Sequence, residues 1–278
     1  MVKHVILDTD IGGDPDDFFA LLLALNSPEI KLDLIITSDE HKGHRKAFAE
    51  RILSLYGRDV PVVSGADLGN DRCCVVDEIV ADGSADPQYL EIVRQIIVNN
   101  PLTYYVCISP QTNLALLIKK YPEVKSKLEI IIMGGSLSES ALGKAEHNVR
   151  YDIYSSQIII ASGIQQWWVI AEVTYDGRMK VSKENTLYGM LKSAKKPVLN
   201  LLARNCELFW SNLYPVNFLH DPVALSTVFR KDFVQFSERN ISISDKGIMY
   251  EDPKGHKVFV SESVKIDEFM KLLYERIF

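Results

Sequence analysis

VILDTDIGGDPDDFFALLLAL, residues 5–25, is the stretch from which the rest of the chain can be read. The apolar run from Val2 to Leu7 has the character of a buried strand, and FFALLLAL that of a helix starting near Asp16 and Asp17. A strand that passes directly into a helix opens a βα unit. In parallel sheets the connecting loop lies at the carboxyl edge, where α/β proteins place their ligands. That loop holds five carboxylates within ten residues: Asp8, Asp10, Asp14, Asp16 and Asp17. Like charges at this density repel one another unless a hard cation such as Ca²⁺ or Mg²⁺ neutralises them. Asp16 and Asp17 also suit a helix N-terminus electrostatically. Capping accounts for those two acids and leaves Asp8, Asp10 and Asp14 without a reason.

Beyond this unit, short apolar runs alternate with helical patterns, the signature of parallel strands joined by crossover helices. The further strands are predicted at Leu32 to Thr37, Val60 to Val63, Thr103 to Ile108, Leu128 to Met133 and Trp168 to Val173. The helices are predicted at Phe18 to Leu25, His44 to Tyr56, Pro87 to Asn99, Gln111 to Lys120, Ser155 to Ser162 and Lys183 to Ala203. Phe209 to Arg230 continues in helical style around Pro215 and Pro222. Ile241 to Val260 alternates, with turn signals at Asp245 to Gly247 and Pro253 to Gly255, which predicts a C-terminal hairpin. Ile266 to Phe278 closes the chain as an amphipathic helix. No Pro/Gly/Ser-rich linker interrupts the series, so residues 1–278 are read as one α/β domain with an open, mostly parallel sheet flanked by helices.

The composition fits that size: 278 residues, 47% hydrophobic and 24% charged. A net charge of −6 with scattered basic residues offers no electrostatic footprint for nucleic acid or an anionic membrane, and points to a small-molecule partner. The N-terminus enters the first strand without the regions of a signal peptide, and no apolar run reaches the length of a membrane span, which predicts a cytoplasmic protein. Cys73, Cys74, Cys107 and Cys206 show neither metal-ligand spacing nor a disulfide framework and are read as free thiols.

Several predicted strand ends carry polar groups that would converge on one crevice. These are Thr37-Ser38-Asp39-Glu40-His41, Ser109-Pro110-Gln111-Thr112-Asn113 and Met133-Gly134-Gly135. In FLHDPVAL, His220 and Asp221 precede a helix that accepts Pro222 in its first turn. Asp221 suits a cap, but its pairing with a histidine in a chain that already carries an acidic cluster favours a ligand role. Tyr151, Tyr154, Phe209, Trp210 and Tyr214 lie near these segments. Phe209 and Trp210 are the stacking candidates for an aromatic ligand, whereas Trp167 and Trp168 read as core. His4, His44 and His256 read as structural; His41 and His147 adjoin candidate site positions.

Taken in order, DTDIGGDPDD (8–17), SPQTNLAL (109–116), IIIMGG (130–135), AEHNVRYD (145–152) and LHDPVAL (219–225) resemble the inosine-uridine-preferring nucleoside hydrolase family. That resemblance implies a nucleoside hydrolase-like fold and hydrolysis of the N-glycosidic bond of a ribonucleoside, releasing ribose and free base. It further implies a bound Ca²⁺, a homodimer or homotetramer, and a set of residue roles. The metal ligands would be Asp10, Asp17, Asp221 and the main-chain carbonyl of Thr112, an oxygen set suited to Ca²⁺. Asp10 would act as base towards water. Asp16, Asp39, Met133, Glu146 and Asn148 would contact substrate, and His220 would protonate the departing base.

The chain departs from the family pattern at several points. Gly13-Asp14-Pro15 replaces a more compact turn, leaving Asp14 as either an extra acid or a turn residue. Ser38-Asp39 stands where a Gly-Asn pair is usual, and Ser140 aligns with a further asparagine. The stretch from Arg72 to Pro87 is short and lacks a histidine found there in several members. Two other readings stand beside the hydrolase. One is a family member that binds a nucleoside or sugar without turnover. The other is a Mg²⁺-dependent phosphatase of the haloacid dehalogenase type, against which Gly12 counts, since that family wants Thr or Val there.

Overall fold

A computed structural model of the protein describes residues 2–70, 72–138 and 144–278. Ser140 lies outside the described residues. The chain alternates strand and helix as β1 (Lys3–Thr9), α1 (Asp16–Leu25), β2 (Ile30–Thr37), α2 (His44–Tyr56), β3 (Val62–Ser64) and α3 (Tyr89–Asn99). It continues with β4 (Thr103–Ile108), α4 (Thr112–Lys120), β5 (Leu128–Met133), α5 (His147–Tyr151), α6 (Ile153–Ile160), β6 (Gln165–Val169) and α7 (Ala171–Thr174). There follow β7 (Lys180–Val181), α8 (Thr186–Ser193), α9 (Pro197–Asn212), β8 (Asn217–Phe218) and α10 (His220–Ser226). The chain ends with β9 (Val234–Ile243), β10 (Met249–Glu251), β11 (His256–Val264) and α11 (Ile266–Ile277).

Nine strands form one sheet in the order β10-β9-β11-β6-β5-β4-β1-β2-β3. From β11 to β3 every neighbouring pair is parallel, while β9 runs antiparallel to both β11 and β10. The expected open, mostly parallel sheet is therefore present. Its order reverses between β1 and β4, the switch point where loops leave in opposite directions and open a crevice. Register brings the two edges level, with Asp8 opposite Cys107 and Thr9 opposite Ile108. The acidic loop after β1 and the Ser109–Asn113 loop after β4 thus face the same crevice.

Helix α1 explains why the acids are interior. Its sequence is apolar on every side, and from Asp16 to Ala24 all its residues are buried, as expected of a helix enclosed by protein. Each buried Phe or Leu contributes about 1.5–3 kcal/mol, enough together to draw the two N-terminal carboxylates out of solvent. One core face of the sheet packs α1, α2, α9 and α11; the other packs α3, α4 and α6.

Some predicted elements are shifted. The strand expected at Trp168 to Val173 is β6, which ends at Val169 because the Ala171 N–H donates to Gly135 O (3.0 Å) and the chain turns into α7. The helix expected over Lys183 to Ala203 is two helices. Pro197 starts the second, with Lys196 extended before it, as the residue preceding a proline prefers. The region after Phe209 leaves the helix at Asn212 and forms β8 before α10. The C-terminal hairpin is a larger, three-stranded antiparallel unit, β9-β10-β11, joined to the parallel sheet through β6. Trp168 is fully buried as expected, whereas Trp167 is half-buried and stacks on Phe259 (4.0 Å between centroids).

Candidate active site

Asp16, Asp17 and Asp221 bring carboxylate oxygens within 4.8 Å of one another, and all three residues are buried. The first two come from the start of α1 and the third from α10, more than two hundred residues away in sequence. Asp16 ties the two helices together. Its Oδ2 accepts the backbone N–H groups of His220 (3.1 Å) and Asp221 (3.2 Å), while α10 has no side-chain cap of its own. Asp16 therefore does cap a helix, though not the one it begins. Asp17 accepts a hydrogen bond from the Thr9 hydroxyl.

The electrostatics of this trio call for a cation. Burial, followed by repulsion from neighbouring acids, pushes Asp17 and Asp221 well above the usual carboxylate range, and burial raises Asp16 to about 6. At an effective dielectric of about 20, each pair of charges 4.8 Å apart repels by roughly 3 kcal/mol. A divalent ion would remove that penalty, and an all-oxygen donor set suits a hard one. Asp14 is half-buried and raised well above its ordinary range by burial and then by Asp16, and its Oδ1 lies 3.4 Å from the Asp16 N–H. It serves the turn and also adds an acid to the group.

Asp10 lies close enough to raise the pKa values of Asp16, Asp17 and Asp221, but stands outside their ligand cluster. It keeps more solvent access than the trio, at 8% exposure against 3–4%. Thr112 begins α4 and gives its hydroxyl to Asp152 (2.6 Å). Asp8, the remaining acid, is structural. Its carboxylate accepts Tyr105 Oη–H (2.7 Å), Ser109 Oγ–H (3.0 Å) and Asn113 Nδ2–H (3.0 Å), and burial raises it to about 7.

At the end of β5, Met133, Glu146 and Asn148 form one unit. Glu146 accepts the N–H groups of Gly135 (2.9 Å), Asn148 (2.9 Å) and Val149 (3.1 Å), and Asn148 Nδ2 donates to Met133 O (3.1 Å). Asp39 adopts φ +50°, accepts from Asn70 Nδ2 (2.8 Å), and keeps Oδ1 buried without a partner. That carboxylate oxygen has lone pairs free to accept a hydrogen bond.

His220 is half-buried, with Nδ1 2.6 Å from Thr174 Oγ1 and its ring edge-on to Tyr175 at 4.7 Å between centroids. Burial lowers its pKa to about 4. The two stacking candidates are core residues. Phe209 is 4% exposed, and Trp210 is 8% exposed with its indole N–H bound to Asn217 (3.1 Å). Helix α9 turns its apolar stripe inward and takes both rings with it. The exposed rings in this region are Tyr175 and Tyr214. His147 packs on Tyr151 at 4.4 Å, and burial lowers it to about 4.

Sequence reasoning missed Arg45. Fully buried beneath the acidic loop, its guanidinium donates to Asp39 O (2.7 Å), Ile11 O (3.1 Å) and Asp10 O, and approaches Asp39 Oδ2 at 3.5 Å. Its position was readable: Arg45, Phe48, Ala49, Ile52 and Leu53 form a single helical stripe, and all are buried. Thr174 and Tyr175 carried no such signal, lying just past the strand expected at Trp168 to Val173. The cysteines are all free, and among the described residues no helix is long and apolar enough to cross a membrane.

The sequence model described as "Inosine-uridine preferring nucleoside hydrolase" matches residues 5–271. Pyrimidine-specific ribonucleoside hydrolase RihA of Escherichia coli O7:K1 is 27% identical over 317 aligned positions, spanning 100% of this chain and 99% of that protein. The protein of the same name from Citrobacter koseri is 28% identical, spanning 100% and 98%. Among solved structures, a plant nucleoside hydrolase, PpNRh1, superposes with a TM-score of 0.85 at 20% identity, covering 100% of this chain and 99% of that one. A purine-preferring ribonucleoside hydrolase from Gardnerella vaginalis gives 0.82 at 23% identity, covering 99% and 98%. The match over nearly the whole chain sets aside the phosphatase reading.

Proposed function

Because the chain belongs to the inosine-uridine preferring nucleoside hydrolase family and is thus an N-glycosidase, we propose that it hydrolyses ribonucleosides in a Ca²⁺-dependent reaction at the β1/β4 crevice. The observation that carries this reading is the convergence of three buried carboxylates, Asp16, Asp17 and Asp221, at that crevice. Asp10, Asp17, Asp221 and the Thr112 carbonyl are proposed to hold the ion, with Asp16 beside them. When bound, Ca²⁺ neutralises the acids, orients the sugar hydroxyls and makes a water easier to deprotonate.

The chain's own groups divide the remaining work. Asp10, more accessible than Asp16, Asp17 and Asp221, takes the proton from the attacking water. Asp39 Oδ1 accepts from a ribose hydroxyl, and the Met133–Glu146–Asn148 unit holds the sugar from the β5 side. Carboxylates around the ring stabilise the positive charge that develops as the glycosidic bond breaks. His220 gives a proton to the departing base. With its pKa near 4, the imidazolium form is scarce at neutral pH but strongly acidic. Tyr175, edge-on to His220, supplies an aromatic surface beside the leaving group. Self-association into a dimer or tetramer is proposed from the family resemblance and is read by light scattering.

The test is sugar release from a panel of ribonucleosides and p-nitrophenyl riboside by EDTA-treated protein, with and without added Ca²⁺. Ca²⁺-dependent release supports the proposal and identifies the preferred base. A protein that binds Ca²⁺ and gains thermal stability with a nucleoside, yet releases no sugar, would instead be the non-catalytic binder.

A further inference from the structure

His41, His44 and Asp77 place a ligand atom each within 4.8 Å of one another outside the acidic crevice. His44 Nδ1 lies 3.3 Å from Asp77 Oδ1, and His41 Nε2 lies 4.0 Å from Asp77 Oδ2. The other nitrogen of His44, Nε2, is 2.7 Å from Asp82 Oδ1. Both ring nitrogens of this buried imidazole therefore face a carboxylate. A neutral imidazole has one N–H and can donate to only one of them, so the other contact takes either a second proton or a bound cation. A cation between His44 Nδ1 and Asp77 would fill that place. Nε2–H then donates to Asp82, the arrangement in which a carboxylate orients a metal-bound histidine.

The backbone is built to hold these groups together. His41 and His44 flank a tight turn closed by the His44 N–H to His41 O hydrogen bond (2.7 Å). Within it, Gly43 adopts φ +76° and packs so closely on Gly83 that a β-carbon would meet Gly83 Cα at 2.5 Å. Gly83 N–H donates to Lys42 O (2.8 Å), and Lys46 pairs with Asp86 (2.7 Å). The loop bearing Asp77 and Asp82 is thereby fastened against the start of α2. The same loop reaches the crevice, where Val75 N–H donates to Gly12 O (2.8 Å).

We propose that His41, His44 and Asp77 form a second metal site, for Zn²⁺ or a similar first-row transition ion, that clips the 72–86 loop to α2, with Asp82 orienting His44. Two imidazoles and a carboxylate with a fourth position open to water match a four-coordinate Zn²⁺ donor set and suit Ca²⁺ poorly. Tetrahedral ligands about 2.0–2.1 Å from the ion sit roughly 3.3 Å apart. The His44–Asp77 pair already meets that spacing, and half-exposed Asp77 and mostly buried His41 need only close in.

The test uses the full-length protein saturated with Ca²⁺, so that the acidic crevice is filled. Co²⁺ serves as the spectroscopic probe and Zn²⁺ as its competitor. The expected result is visible absorption of four-coordinate Co²⁺, displaced by one equivalent of Zn²⁺, together with a rise in Tm on adding Zn²⁺. His41→Ala and Asp77→Asn, both at positions that retain solvent exposure, should lose the absorption and the Tm rise. Asp221→Asn should keep them. Asp82→Asn should weaken Zn²⁺ binding about 10–100-fold. No Zn²⁺ uptake by the Ca²⁺-saturated wild type would overturn the proposal, leaving the cluster as a histidine–aspartate ion pair. Unchanged uptake in both His41→Ala and Asp77→Asn would overturn it equally.

Discussion

Replacing Arg45 by Met should uncouple the acidic loop from its support while leaving the apolar packing of α2 nearly intact. Arg45 is fully buried, and its guanidinium serves three main-chain carbonyls and the Asp39 carboxylate. Methionine fills much of the same stem but donates nothing. Removing one partner of a buried ion pair costs about 3–5 kcal/mol, and each carbonyl left buried without a donor costs about 1–3 kcal/mol more before relaxation. In a chain of this size, losing 3–5 kcal/mol corresponds to a fall in Tm on the order of 10 °C. The loss should depend on metal. Arg45 is the positive charge that lowers the pKa values of Asp10 and Asp17 against their burial, so without it those acids rely on an added cation. Urea unfolding of wild type and variant, each in EDTA and in Ca²⁺, reads both effects. The destabilisation should be largest in EDTA and smaller in Ca²⁺. Arg45→Lys should recover little, because an ammonium cannot reproduce the planar fork that reaches Asp39 and the Asp10–Ile11 backbone together. A Tm change of a degree or two, or an equal loss with and without Ca²⁺, would refute the counter-charge role of Arg45.

The remaining expectations concern the crevice. Asp10→Ala should lower kcat by about 10²–10⁴-fold in steady-state sugar release with Ca²⁺ saturating, and both Asp10→Ala and Asp221→Asn should shift the Ca²⁺ titration to higher concentration; an unaltered titration would remove the residue concerned from the ligand set. His220→Ala should slow inosine or uridine hydrolysis by about 10²–10⁴-fold and spare p-nitrophenyl riboside, whose leaving group needs no proton; equal losses would end the acid assignment. With the His220 pKa lowered to about 4, the imidazolium fraction falls about tenfold per pH unit above that value. Nucleoside kcat/KM should therefore climb as pH is lowered from 8 to 5 at saturating Ca²⁺, and the nitrophenyl substrate should stay flat. Folding has its own pH term: burial lowers His147 from its ordinary 6.5 to about 4, so the unfolded chain binds the extra proton between those values. The stability tied to a neutral His147 is complete above 6.5 and is lost as the pH falls through 4. A His147→Gln variant should flatten that part of the Tm profile.

The sequence alone determined the strand–loop–helix start, the alternation that yields a parallel sheet, and the motif segments that meet at its edge. Those features are local: apolar period, proline and glycine punctuation, and acids placed where a strand gives way to a helix. Even the inward stripe carrying Arg45 was written there, although its partners were not. Tertiary structure decided what each acid does. Asp8 lies two residues from Asp10, yet it faces Tyr105, Ser109 and Asn113 and became a structural hub. Asp16 reached across the fold to cap α10 beside Asp221. Phe209 and Trp210 looked available for stacking until the rotation of α9 buried them. The tightest groupings, Asp16–Asp17–Asp221 and His41–His44–Asp77, join segments far apart in the chain. Residue type and spacing set the donors a segment can offer, while sheet order and helix rotation decide which of them share a volume small enough for their charges to interact.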